Sequence, residues 1–400
     1  MLYWLVFLYL LDAYATSSVL DNGKILKSDP EITMNVPQII SRWGYKAESH
    51  DVNTTDGYIL TMHRIPYGKS GQSQSQRPVV FLQHGLEGSS ANWVANLPNE
   101  SISFLLADNG FDVWMGNDRG NNYGLRHITL TSKDKAFWKF SFDEMAKFDL
   151  ESMINYVLQT TGQKTLYYVA HSQGTLIGFA KFSQDQQFAK KVKKFFALGP
   201  VATVRHISGV LQFIAKFTDE IDFLAKLIGL KRFSPSQEFM QILAKYVCGP
   251  KYTEILCSNI YFLLNGPGSQ QLNASRVPVY ISHSPAGTST QNIVHFGQMV
   301  NSGKFQMFDY GKKDNKRVYG QEIPPLYNVE RLQVPTYLFW GLLDTLADPK
   351  DVQQYLIPKL KNCLRGSYSF ADYNHIDFLY GMKATSEVYD NIISLIKADL

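Results

Sequence analysis

Val169-Ala170-His171-Ser172-Gln173-Gly174 is the stretch on which the fold turns. It closes a β-branched and aromatic run, Thr165-Leu166-Tyr167-Tyr168-Val169. It opens Thr175-Leu176-Ile177-Gly178-Phe179-Ala180, which reads as a helix. A serine at so sharp a strand-to-helix reversal sits on a strained backbone, and residues two positions away on either side must be small to avoid collision. Ala170 and Gly174 meet that demand. The segment therefore predicts a nucleophile elbow at Ser172.

Outward from it, Pro78-Val79-Val80-Phe81-Leu82 and Phe111-Asp112-Val113-Trp114-Met115 read as buried parallel strands, as do the runs at 195–198, 336–340 and 366–370. Met145, Leu150, Met153, Ile154, Val157 and Leu158 recur at helical spacing, and Gly162 stops that helix. A closing helix is expected from about Ser386 to Ala398. Tyr58 to Ile65, preceded by Thr55-Asp56-Gly57, predicts an antiparallel hairpin. Such alternation specifies an α/β fold with a mostly parallel sheet flanked by helices. The interval 203–328 breaks the rhythm and is expected to be a mainly helical cap inserted between a first core part, 16–202, and a second, 329–400. Its apolar stripe from Val210 to Ile228 fits either cap core or a lid facing lipid.

A serine hydroxyl needs a histidine to take its proton and a carboxylate to orient the imidazole. In an α/β-hydrolase fold these follow the serine in the order acid, then histidine, in loops after later strands. Asp344, after Trp340-Gly341-Leu342-Leu343, and His375, in Asp372-Tyr373-Asn374-His375, fit that order. Asp348 and Asp351 read instead as the start of the next helix, and His84, His127 and His171 lie upstream of the serine or beside it. The oxyanion of the tetrahedral intermediate requires fixed N–H donors. The amides of Gln173 and of Leu86, in Gln83-His84-Gly85-Leu86, are the candidates.

With 45% hydrophobic and 18% charged residues, the chain can bury a large core. Its net charge of +4 comes in short clusters such as Lys190 to Lys194, which reads as a solvated helix end before a strand, so nucleic-acid binding is not expected. No phosphate loop or metal-ligand cluster appears, and the chemistry requires no cofactor. Met1 to Leu11 followed by Ala13-Tyr14-Ala15 predicts a signal peptide over 1–15, with no stable transmembrane anchor. Acceptor triplets for N-glycosylation at Asn53, Asn99 and Asn273 agree with a secretory route. Cys248 and Cys257 are near enough in sequence to close one loop, leaving Cys363 odd; three buried thiols are the alternative.

The chain also resembles the acid lipases, the group that contains gastric and lysosomal acid lipases, over nearly its whole mature length. The likeness rests on Leu82 to Leu86, Asp112 to Asn121, Ala170 to Gly174 and Tyr373 to Phe378. Ala170 departs from the glycine usual there. The resemblance implies an α/β-hydrolase core with a cap and lid, triacylglycerol or cholesteryl ester hydrolysis at a lipid–water interface, and secretion or lysosomal residence. It also implies glycosylation and a cap disulfide, which Cys248 and Cys257 fit. By the same likeness Ser172, Asp344 and His375 are catalytic, and Leu86 and Gln173 form the oxyanion hole. A short-chain carboxylesterase and a catalytically silent lipid-binding protein remain the competing expectations.

Overall fold

The computed structural model describes residues 28–71, 76–208, 231–233, 237–246 and 271–400, with Gln212, Ala215 and Thr218 as isolated helical positions. The expected signal segment, nearly all of the 210–228 stripe, and Cys248 and Cys257 lie outside the described residues.

The hairpin expected around Thr55-Asp56-Gly57 is formed by β1 (Glu48–Asn53) and β2 (Tyr58–Ile65), with Gly57 at φ +100°. The parallel strands follow as β3 (Val79–Gln83) and β4 (Asp112–Met115). A two-residue strand, β5 (Arg126–His127), pairs with β2. Then come β6 (Leu166–His171) and β7 (Val192–Leu198). A small separate ribbon, β8 (Arg232–Phe233) and β9 (Thr288–Ser289), lies in the interval expected to be the cap. Finally β10 (Thr336–Gly341) and β11 (Leu364–Phe370) return to the main sheet.

That sheet runs β1-β2-β4-β3-β6-β7-β10-β11, with β5 beside β2. Every neighbouring pair from β4 to β11 is parallel. The continuous apolar runs are explained by burial on both faces, because side chains alternate across a strand. Phe81, Tyr168, Phe195 and Leu338 enter one hydrophobic cluster, whereas Val80, Leu82, Val169, Phe196 and Phe339 enter the other. The edge strand β11 instead alternates half-buried and exposed positions.

The helix predicted from Met145 begins with a π turn, Met145–Asp149, and continues as Leu150–Thr161 until Gly162 at φ +68°. The closing helix is Asp390–Lys397, also entered through a π turn. Between β7 and β10 the described elements other than the ribbon are helical, among them Gln237–Tyr246, Val277–His283, Thr290–Ser302 and Lys312–Tyr319. Among the described residues no helix is long and apolar enough to cross a membrane.

Candidate active site

Ser172 stands between β6 and the helix Gln173–Gln184 at φ +54°, ψ −122°, a conformation costly for a residue with a side chain. The turn is held by its neighbours: the Ser172 amide donates to the Leu198 carbonyl at 3.0 Å. Gly174 is required by contact, because a Cβ there would lie 2.5 Å from the Gln83 carbonyl oxygen. Gly85 is required likewise, since a Cβ would meet Ser172 Cβ at 2.9 Å. Thus the loop after β3 lies directly against the serine.

Ser172, His375 and Asp344 are brought together although they are far apart in the chain. Ser172 Oγ is 2.7 Å from His375 Nε2, and His375 Nδ1 is 2.8 Å from Asp344 Oδ2. Both partners sit after adjacent strands, β10 and β11, beside β7 and β6 in the sheet. The other Asp344 oxygen accepts the amides of Leu346 at 2.9 Å and Ala347 at 2.8 Å, which fixes the carboxylate plane. Gly199, at φ +53°, lets the chain after β7 pass the pair, where a Cβ would lie 3.2 Å from the His375 ring. Asp344 and His375 are almost fully buried.

The competing residues are used otherwise. Asp348 accepts the Lys350 amide as a helix cap, and Asp351 binds Thr203 and His206. His127 accepts the amides of Thr129 and Leu130. The ring of His171 bonds the carbonyl of His375 through Nε2 at 2.8 Å. Burial, followed by the neighbouring His375, holds His171 well below the usual histidine range, so it stays neutral and donates there. Its position inside the elbow segment was the available signal, and chain order sufficed only to remove it as a base.

His84 has a supporting place that its sequence context did not disclose. Its Nδ1 is 2.8 Å from the Gly85 carbonyl oxygen, while Nε2 accepts from the Asp118 amide and from Asn121 Nδ2, each at 3.1 Å. The two donors to Nε2 put the proton on Nδ1. Burial lowers its pKa to about 4. The Gly85 carbonyl also accepts the Gly88 amide at 3.0 Å. Because the carbonyl and amide of one peptide plane point in opposite directions, gripping the Gly85 oxygen aims the Leu86 N–H.

Gln173 opens its helix, so its amide has no acceptor within that helix and lies in the positive end of the dipole. Its side chain is fixed by Asn292, from the helix Thr290–Ser302, at 2.7 Å. Asn292 Oδ1 accepts the Phe142 amide at 2.9 Å. No local sequence pattern marks this link, which joins positions far apart. Among the described residues no group of histidines, cysteines or carboxylates could hold a metal. Cys363 is a buried free thiol.

Two family models match the chain. One, described as a partial α/β-hydrolase lipase region, covers residues 36–97, and one described as the α/β hydrolase fold covers 78–381. Gastric triacylglycerol lipase of Homo sapiens is 48% identical over 379 residues, 94% of each chain. The chain is an α/β-hydrolase of the acid-lipase family. Lipase lipl-1 of Caenorhabditis elegans is also 48% identical, covering 93% of this hydrolase and 94% of its own length. Human lipase member K is 46% identical over 92% of each chain. Among solved structures, epoxide hydrolase I of Solanum tuberosum superposes with a TM-score of 0.53 at 14% identity, covering 88% of this chain and all of the other. The latter likeness is one of fold.

Proposed function

We propose that this carboxylic ester hydrolase cleaves lipid esters through an acyl-enzyme on Ser172. The observation that carries the reading is the chain of hydrogen bonds from Ser172 Oγ to His375 Nε2 and from His375 Nδ1 to Asp344. His375 takes the hydroxyl proton as Ser172 attacks the ester carbonyl, and Asp344 stabilises the imidazolium. The amides of Leu86 and Gln173 receive the developing oxyanion. His375 then protonates the departing alcohol. Water, deprotonated by the same histidine, attacks the acyl-enzyme and releases the fatty acid.

Relatives named gastric triacylglycerol lipase and lipase support lipid esters as substrates; we extend this to long acyl chains met at a lipid–water interface. A cap over 203–328, inserted between core parts 16–202 and 329–400, suits that role because it covers an apolar acyl chain. Residues 1–15 are proposed as a signal peptide directing secretion or lysosomal delivery. Asn53 and Asn99 are exposed and Asn273 partly so, which suits glycosylation, and Cys248 with Cys257 is the proposed disulfide.

Labelling the purified protein with a fluorophosphonate, followed by a chain-length series of esters, tests the reading. Labelling lost in Ser172→Ala, with preference for long acyl chains, supports it. Turnover of short esters alone makes the protein a carboxylesterase, and a folded protein without labelling makes it a lipid binder.

A further inference from the structure

The residue after Leu86 carries a second departure from ordinary geometry. Glu87 lies at φ +54°, the only positive φ of a non-glycine among the described residues besides Ser172. Its carbonyl accepts the Ala286 amide at 2.6 Å, which clamps the loop after β3 to the turn before β9. Its carboxyl oxygen Oε1 is buried and has no hydrogen-bond partner. Burial pushes its pKa up to about 8 against the pull of Arg232.

Arg232, in β8, faces the same place. Its Nη2 donates to Asn122 Oδ1 at 2.7 Å and to the Ala286 carbonyl at 3.2 Å, yet its Nε is buried without a partner. Gly287, at φ +106°, makes room for that guanidinium, since a Cβ would stand 2.9 Å from Nε. A buried acceptor and a buried donor, each unsatisfied, are costly unless something satisfies both. The two side chains are electrostatically coupled without bonding each other through these atoms. A hydroxyl, which donates and accepts at once, is the group that completes such a pair.

The place relates to the reaction. Gly85 packs on Ser172, and Glu87 is two residues further on, at most about 7 Å along the chain. A glyceryl ester carries its remaining hydroxyls within a few bonds of the ester being cut. We propose that Glu87 and Arg232 form a polar subsite beside the nucleophile that takes a free hydroxyl of the substrate's alcohol portion, favouring partial acylglycerols over esters of simple alcohols. The proposal rests on Ser172 chemistry and adds a preference in the leaving alcohol.

The test is the ratio of kcat/KM for a 1-monoacylglycerol to that for the methyl ester of the same fatty acid, both in mixed micelles. Glu87→Leu and Arg232→Met are expected to lower this ratio about tenfold each, and the double variant scarcely further, because one hydroxyl bridges both groups. Arg232→Lys and Glu87→Ala serve where a first variant does not fold. An unchanged ratio in folded variants overturns the subsite and leaves a water or a clamp in its place. Ser172→Ala separates the two readings: hydrolysis of either ester surviving in it refutes the acyl-enzyme itself.

Discussion

Asn292 Nδ2 donates to Gln173 Oε1 at 2.7 Å, so the residue that follows Ser172 is gripped by a helix reached only after β9. The same asparagine accepts from Phe142 and bonds Thr288, which leaves it little freedom to turn. Asn292→Ala is therefore expected to loosen Gln173 and lower kcat about tenfold while KM stays near that of the parent. Steady-state kinetics on a soluble ester read this split directly. A raised KM with kcat unchanged would assign Asn292 to substrate binding instead.

His84→Phe removes the grip on the Gly85 carbonyl and leaves the Asp118 amide without its side-chain acceptor, whereas Asn121 Nδ2 keeps Gly88 and Asn117. Stability should fall by about 1–3 kcal/mol from the orphaned donor. Affinity for a boronic acid that mimics the tetrahedral intermediate should fall more than affinity for substrate, which inhibition constants compared with KM would reveal.

Gly85→Ala and Gly162→Ala separate a contact requirement from a backbone one. At Gly85 the new methyl would press on Ser172, so fluorophosphonate labelling should slow at least a hundredfold in a folded protein. At Gly162 nothing lies within 4 Å, and only the φ of +68° resists, costing about 1 kcal/mol with labelling unaltered. Melting curves beside labelling rates check both.

The pH dependence of stability follows from two opposed sets of buried groups. Burial raises Glu87 to about 8, Glu144 to about 7 and Asp143 to about 6. The fold therefore holds protons there that the unfolded chain releases, and their penalty shrinks as pH falls from about 9 toward 4.5. Conversely, burial lowers His63, His84 and His283 to about 4 and His295 to about 3. These are neutral in the fold, and their contribution is lost as pH falls below about 6.5. Thermal stability should rise from pH 9 to about 7, change little to about 5, and then decline. Glu144→Gln should flatten the first rise, and a steep loss between pH 7 and 5 would contradict the balance.

Much of this architecture was legible because the chemistry of a buried parallel strand demands apolar residues on both faces. The runs ending at Met115, Val169 and Leu198 could scarcely be anything else. Ser172, Asp344 and His375 were legible because the elbow fixes steric needs and chain order fixes where its partners can arrive. What escaped were pairings across the fold, such as Asn292 with Gln173 and Arg232 with Asn122. Single polar residues meeting across such intervals leave no periodicity, and only packing brings them together. The π turns were hidden for another reason, since an extra residue in a helix scarcely alters an apolar pattern.

β7 and β10 are neighbouring parallel strands with Leu198 opposite Phe339, so the chain leaves the sheet after Leu198 and returns at Thr336 one strand over, about 5 Å, and three residues back along it, about 10 Å. Anchor points on neighbouring strands let the interval between them vary wherever it does not supply a contact such as that of Asn292 with Gln173. That interval can lengthen, shorten or be replaced over evolutionary time without shifting the strands that carry Ser172, Asp344 and His375. Descendants of such a scaffold can diversify what they accept while inheriting the three side chains proposed to react.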